Sequence, residues 1–328
     1  MNKRETKYQI LDHEPKISLK YIIKHLLNYP IGLIYRAILN CAHTRHYTKR
    51  KYTCCVCAIF RDEANYLKEW IEFHLLIGIE HFYLYNNFSV DNYLEVLEPY
   101  IQRGIVTLVD WPFERQQMKA YAHCVDTFKS ETQWIGFIDL DEFIVPNKHE
   151  SIQEFLAEFT NRPNVIINWR YFGSGGIVSR NPKGLVSEDF VVAWKKYSDI
   201  GKMFFNTDYD YWADSNQYMH YRWAKYKNIK LPPVNVFNKP LIWDINPIHT
   251  DEMPIQINHY VVKSYREYID KKARRGGGIH KPMKGFHDDE YFWDHEFFCQ
   301  SVDYHIFRYM TRLKLNMNEE TIVTPRQD

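Results

Sequence analysis

From residue 53 onward the chain alternates short apolar runs with amphipathic segments about a dozen residues long. Thr53 to Phe60 is an apolar run of strand length. Asp62 can cap the segment after it, in which Leu67, Trp70, Ile71 and His74 share one helical face until Gly78 ends it. His81 to Tyr85 is a second run. Asp91 can cap a helix over 92–102, with Gly104 just past its end, and Ile105 to Asp110 reads as a third strand. A third helical pattern covers 116–128. Trp134 to Ile138 follows, an aromatic-rich buried strand that stops abruptly at Asp139, Asp141 and Glu142. Strands separated by helices of this length predict an α/β fold, a mostly parallel sheet with right-handed crossovers and flanking helices.

Beyond Pro146 the pattern is looser. Ser151 and Glu154 form a capping box for a short helix to Phe159, and Val165 to Arg170 reads as a strand broken by the glycine-rich run Phe172 to Gly176. Residues 205–250 lack periodicity and are rich in Tyr, Trp, Asn and Pro, which predicts irregular, substrate-facing structure. An apolar run from Ile257 leads to a second capping box, Ser264 and Glu267, opening a helix that ends at Gly276 to Gly278. No repeat or linker interrupts residues 53–328, so they read as one catalytic-sized domain preceded by an appendage, residues 1–52.

That appendage has its own pattern. Lys20, Lys24, Asn28, Gly32, Arg36 and Asn40 fall at steps of four and draw a narrow polar stripe on an otherwise apolar helix. The charge-free run from His25 to Tyr35 is shorter than the roughly 20 residues a bilayer span requires, and Pro30 would kink a helix there. Residues 1–52 hold eleven Lys or Arg against three acids, a net of +8, which leaves −7 on the rest of a chain whose total is +1. A basic, amphipathic segment over 17–40 predicts attachment to a membrane surface; the competing reading is a helix pair packed on the body. No secretory signal pattern is present and no nucleic-acid motif accompanies the basic region, so the expected location is cytoplasmic, peripheral on the inner face of the membrane. The six cysteines fit a reducing compartment, because Cys54, Cys55 and Cys57 crowd one strand where they cannot pair without strain.

The strand tips carry the chemistry. On an extended chain Asp139 and Asp141 project to the same side, and two converging carboxylates repel unless a cation lies between them. Hard oxygen donors suit Mg²⁺ or Mn²⁺, whose shells are usually completed by water and substrate phosphates. A lone Asp-x-Asp is ordinarily a solvated loop; here two further tips point the same way. Phe60-Arg61-Asp62-Glu63 sets a guanidinium and carboxylates where a ribose and a base edge could be gripped, and Asn86-Asn87 with Ser89 and Asp91 ends the second strand. His259 can complete a Mn²⁺ shell begun by two carboxylates, while Lys202 and Lys263 can meet phosphate oxygens as point charges.

These runs resemble glycosyltransferase family 92 and the related bacterial family 2-like glycosyltransferases. The resemblance rests on Cys57 to Glu63 with Leu67 to Trp70, and on Phe82 to Asn87 with Ser89 and Asp91. It continues through Trp134 to Phe143, Asn168 to Gly176, Asn258-His259-Tyr260 with Lys263-Ser264, and Arg274 to Gly276. It implies a GT-A-type, Rossmann-like fold and a nucleotide-sugar donor, UDP-hexose above all. It also implies a divalent metal and inverting transfer to a hydroxyl of a glycan or lipid-linked acceptor, as in surface polysaccharide or lipopolysaccharide synthesis. Carried over, Asp139, Asp141 and His259 hold the metal, and Arg61, Glu63, Asn86, Asp91, Asp139 and Lys202 bind the donor. Trp169, Phe172, Gly173, Ser174 and Gly175 face the acceptor. Glu188 and Asp303 are the candidate general bases. The chain departs from the family pattern at Asp62, where Asn is usual, and at Asn86, where Asp is usual. Residues 1–50 have no counterpart, and the match loosens after Gly278. The same carboxylates would also serve a nucleotidyl- or phosphotransferase, and a non-enzymatic nucleotide-sugar-binding scaffold is the third reading.

Overall fold

A computed structural model describes residues 18–43, 49–198, 200–212, 220, 222–241, 252–274 and 289–318. The long helix α1 (Leu19–Ala42) precedes the alternating core: β1 (Tyr52–Phe60), α2 (Ala64–Leu76), β2 (His81–Asn86), α3 (Tyr93–Gln102), β3 (Val106–Asp110), α4 (Gln117–Phe128) and β4 (Thr132–Phe137). Next come β5 (Glu142–Pro146), α5 (Ile152–Ala157), β6 (Asn164–Tyr171), α6 (Val186–Asp189), β7 (Val192–Trp194) and β8 (Gly201–Asn206). The short strands β9 (Asp210–Tyr211), β10 (Ala224–Tyr226), β11 (Ile229–Leu231) and β12 (Val234–Asn235) precede β13 (Ile255–His259). The chain closes with α7 (Tyr265–Arg274), α8 (Asp289–Phe298), β14 (Cys299–Val302), a 3₁₀ turn at His305–Tyr309 and α9 (Met310–Met317).

The main sheet runs β3-β2-β1-β4-β8-β6-β13-β5, with β12 on the edge of β6. Only β8 and β5 run against the other strands, so the expected α/β architecture with a mostly parallel sheet is what forms. Period-two alternation fills both faces. On β1, Cys54, Val56 and Ala58 join Trp70, Phe82 and Leu84 in one core, while Cys55 and Cys57 join Tyr83, Tyr85, Tyr121 and Phe137 in the other. The six thiols are free, and burial pushes that of Cys55 up to about 12. Gly136 is required where it stands, because a Cβ there would lie 2.4 Å from the Phe204 ring.

Several local expectations are corrected. The carboxylate of Asp91 caps α2 rather than α3, accepting from Ala64 N at 2.8 Å, and Asp62 instead accepts from Val90 N at 2.8 Å. The tips after β1 and β2 thus brace each other. Asp139 to Asp141 are not the extended segment assumed in placing both carboxylates on one side: the chain turns at Leu140, with Glu142 N donating to Asp139 O at 3.0 Å, and β5 departs antiparallel to β13. The region expected to be irregular contains a small antiparallel sheet, β11-β10-β9, and 213–219 and 242–250 lie outside the described residues, as does the glycine run 276–278.

Helix α1 divides in two. Tyr35, Leu39 and Ala42 are buried, and the Tyr35 hydroxyl donates to Pro232 O. Arg50 and His43 then meet Asp208, and Arg50 donates to the carbonyl of Thr132, the first residue of β4. The packed-helix reading therefore holds for the C-terminal turns. Leu19, Leu26, Tyr29, Leu33 and Ile34 are each more than half exposed, and among the described residues no helix is long and apolar enough to cross a membrane.

Candidate active site

Strand order makes the site. From β1 the chain winds outward through β2 and β3, then α4 returns it to the other flank of β1 as β4. The carboxyl ends of β1 and β4 therefore diverge, and in open α/β sheets ligands bind at such a switch point. Arg61 to Glu63, Asn86 to Asp91 and Asp139 all leave the sheet along this edge.

Later strands bring the remaining groups. The β5–β13 pairing sets His259 opposite Glu142, and β8 carries Lys202 in from the side. Asp139 Oδ2 lies 2.6 Å from Lys202 Nζ, and its Oδ1 accepts from Gln117 at 3.2 Å. Asp141 Oδ2 accepts from Lys271 at 2.8 Å, and Oδ1 lies 3.7 Å from His259 Nε2. Glu142 Oε1 lies 3.5 Å from Lys202 and 3.8 Å from the same imidazole nitrogen. Glu142 Oε2 accepts from Asp139 N at 3.0 Å, which fixes the turn. Trp169 fills the floor between His259 and His220, with ring centroids 4.7 and 5.0 Å away.

Burial and charge set the protonation states. Burial alone would raise Asp141, but Lys271 foremost and Lys263 hold its carboxyl well below the usual range. Burial lifts Glu142 well above the ordinary value, against the pull of Lys202. Burial lowers His259 to about 4, so it is a neutral imidazole near pH 7, and its Nδ1 has no hydrogen-bond partner among the described residues. Among the described residues no three His, Cys, Asp or Glu stand ready as a metal cage. The donor set of an ionised Asp141, a neutral His259 facing it and Asp139 nearby nevertheless fits a hard divalent ion.

The family profile described as "Glycosyltransferase family 92" matches residues 50–317. The chain belongs to glycosyltransferase family 92. A family 92 protein of Oryza sativa subsp. japonica is 32% identical over 124 residues, a stretch covering 38% of this chain and 21% of that protein. The galactan beta-1,4-galactosyltransferase GALS3 of Arabidopsis thaliana is 30% identical over 132 residues, covering 36% of this chain and 26% of the relative. These matches span about a fifth to a quarter of the relatives' length. Among solved structures, S. aureus TarS 1-349 superposes with a TM-score of 0.34 at 11% identity over 47% of each chain, an overlap too small to argue from.

Within this family 92 chain the sequence-predicted residues fare differently. Asp139, Asp141, His259 and Lys202 come together as described, but Lys202 is spent on Asp139 and Glu142 rather than open to a donor. Arg61 stays at the surface over the Phe88 ring, 3.8 Å from Glu114, and Glu63 opens α2 on a cleft. Asn86 is saturated, donating to Tyr93 and Asp110 and accepting from Ser89 N, and with Asp91 it holds the loop.

The expected acceptor wall is corrected. Trp169, Phe172, Gly173 and Ser174 are interior, and only Gly175 of that set is exposed. A Cβ on Gly173 would lie 2.4 Å from Cys299 Sγ, and Glu296 takes both the N–H and the hydroxyl of Ser174, so the glycine-rich turn packs against α8. Both candidate bases are corrected too. Asp303 is buried and bound by Arg170, Gln256 and His305, and Glu188 pairs with Lys314 on α9. Gln117, Lys271 and His220 went unforeseen. Gln117 alone gave a signal, as a polar residue opening the helix that returns the chain to β4.

Proposed function

We propose that the chain transfers a hexosyl group from a nucleoside-diphosphate sugar, UDP-linked, to a hydroxyl of a glycan or lipid-linked acceptor in surface polysaccharide synthesis. The observation that carries this reading is the pair Asp139 and Asp141 at the switch point, one clamped by a buried lysine and the other facing a neutral histidine. Asp141, His259 and Asp139 are the residues that would hold Mn²⁺ or Mg²⁺. Such an ion, when bound, screens the charge of a diphosphate leaving group.

In the inverting reaction the family resemblance implies, the acceptor oxygen bonds to the anomeric carbon as the bond from that carbon to the diphosphate oxygen breaks. The chain's own residues serve the donor side: Lys202 and Gln117 fix Asp139, and the turn closed by Glu142 presents Asp141. Arg61 and Glu63 stand at the tip that would face the nucleoside. The galactosyl transfer named for the Arabidopsis relative makes UDP-galactose the first donor to try. The exposed apolar turns of α1, with the basic residues around them, support attachment to the inner face of a membrane.

The test is a panel of nucleotide sugars assayed with and without Mn²⁺ by product analysis. Release of a nucleoside diphosphate, lost in Asp141→Asn, is expected. Release of a nucleoside monophosphate or of pyrophosphate would favour the phosphotransferase reading. Unimpaired turnover in Asp141→Asn would remove the role given to the carboxylate pair.

A further inference from the structure

Between the start of α2 and the turn joining β13 to α7 lies a cleft of ≈ 240 Å³, with Glu63 and Tyr66 on one wall and Arg180, Lys263, Glu267 and Lys271 on the other. Lys263 is its unusual member. It is only 5% exposed, and its ammonium sits 4.1 Å from the centre of the Tyr66 ring. Among the described residues it makes no hydrogen bond or ion pair. Three carboxylates face it, Glu63, Asp141 and Glu267, yet none hydrogen-bonds to it: Glu267 accepts from Tyr66, Arg180 and Ser264, and Asp141 accepts from Lys271. The N–H groups opening α7 are also used, by Ile177 O, Val178 O and the capping box, so only side chains are left to meet a ligand.

A buried ammonium that no acceptor hydrogen-bonds is held at a cost to the fold, which the aromatic face and the more distant carboxylates offset only in part. Lys263 also holds φ at +51°, a left-handed conformation unusual for a non-glycine residue, and such strain gathers at ligand sites. Neither cost helps the chain fold. Both are explained if an anion enters the cleft, and Lys271, on the same wall, places that anion beside Asp141.

We propose that Lys263 is a phosphate-binding residue, taking the sugar-linked phosphate of the donor and holding it as the diphosphate departs. This rests on the glycosyl-transfer reading above. In that step the electron pair of the broken carbon–oxygen bond stays on the phosphate oxygen, and the Lys263 ammonium faces the charge that develops there. The acceptor's proton leaves to solvent or a base and does not involve Lys263.

Calorimetric titration of the full chain with UDP, GDP and UMP, in the presence of Mn²⁺, tests this. In Lys263→Met the affinity for the diphosphate that binds should fall by about tenfold or more, the worth of a charge-assisted hydrogen bond, with UMP little changed. Lys263→Arg should retain most of that affinity. Methionine keeps the buried volume and arginine keeps the charge, so melting curves of Lys263→Met and Lys263→Arg beside the parent establish that the affinities are read on folded protein. Unchanged diphosphate affinity in Lys263→Met overturns the assignment, and if transfer is lost at the same time the anion belongs to the acceptor. If the parent chain binds no nucleoside diphosphate, the glycosyl-transfer reading itself falls.

Discussion

Replacing Lys202 by Met tests the electrostatic frame of the site directly. The side chain is 1% exposed, with its ammonium 2.6 Å from Asp139 Oδ2 and 3.5 Å from Glu142 Oε1. Methionine fills much the same volume, so little cavity is made and the loss is one of charge. Glu142 is wholly buried, its Oε1 has no hydrogen-bond partner among the described residues, and burial already lifts its carboxyl against the pull of Lys202, so removing the cation either strands a buried carboxylate or forces it to take up a proton. Breaking a buried pair in this way costs about 3–5 kcal/mol. At roughly 2–4 °C per kcal/mol for a domain of this size, the melting midpoint should fall by about 6–20 °C. Circular-dichroism melts and urea titrations at pH 7 read this. Lys271→Met is the internal comparison: that lysine is 41% exposed over Asp141, so solvent screens the pair and its loss should cost clearly less than that of Lys202. Adding Glu142→Gln to Lys202→Met should recover a large part of the deficit by removing the stranded charge. A Lys202→Met protein within about 1 kcal/mol of the parent, or a double variant showing simple additivity, would refute the frame.

Acid sensitivity should trace in part to His74. Its Nδ1 donates to Trp70 O at 2.7 Å, its Nε2 accepts from Ile144 N at 3.2 Å, and burial lowers it to about 3. The unfolded chain therefore binds a proton that the native one refuses between about pH 3 and 6.5, so this stability is complete above pH 6.5 and is lost as the pH falls. From pH 7 to pH 5 the loss is about 2 kcal/mol. Urea titrations at the two values should show that much less pH dependence in His74→Gln, and an unchanged slope would count against it. At α1, vesicles containing anionic lipid should capture the chain at low salt and release it as salt rises, and Leu26→Glu with Leu33→Glu should weaken capture by about tenfold or more. Equal capture by neutral vesicles and by the double variant would point to the packed-helix reading alone.

What the sequence made legible follows from how local each signal is. The strands from β1 to β4 and their helices were readable because apolar runs, caps and glycines act within a dozen residues. The Asp-x-Asp was readable because it interrupts an apolar strand. Side-chain partnership was not, since it depends on which late strand lands beside which early one. Lys271 meets Asp141 across 130 positions. Asp91, a sound local cap for α3, instead caps α2 across 27. The glycine-rich run at 172–176 looked ligand-facing because glycine permits close approach, and the approach is real, but it is made by Cys299 and Glu296 of the chain's own C-terminal part.

The two carboxylates that dominate the site are unequal for the same reason. Asp139 is held by a lysine that has no access to water and that also neutralises Glu142, so releasing it would expose two charges at once. Asp141 is held by a half-exposed lysine that solvent can receive, so a cation bound as proposed would displace Lys271 at small cost. His259, neutral and already facing Asp141, adds a donor on that side and none on the other. Under the proposed metal dependence, exchange of cations would thus be concentrated at Asp141, while Asp139 and Glu142 keep the turn in shape. That asymmetry makes Asp141→Asn informative: it alters the exchangeable member and leaves the buried Lys202 frame in place, so a loss of turnover without a loss of stability would report on chemistry alone.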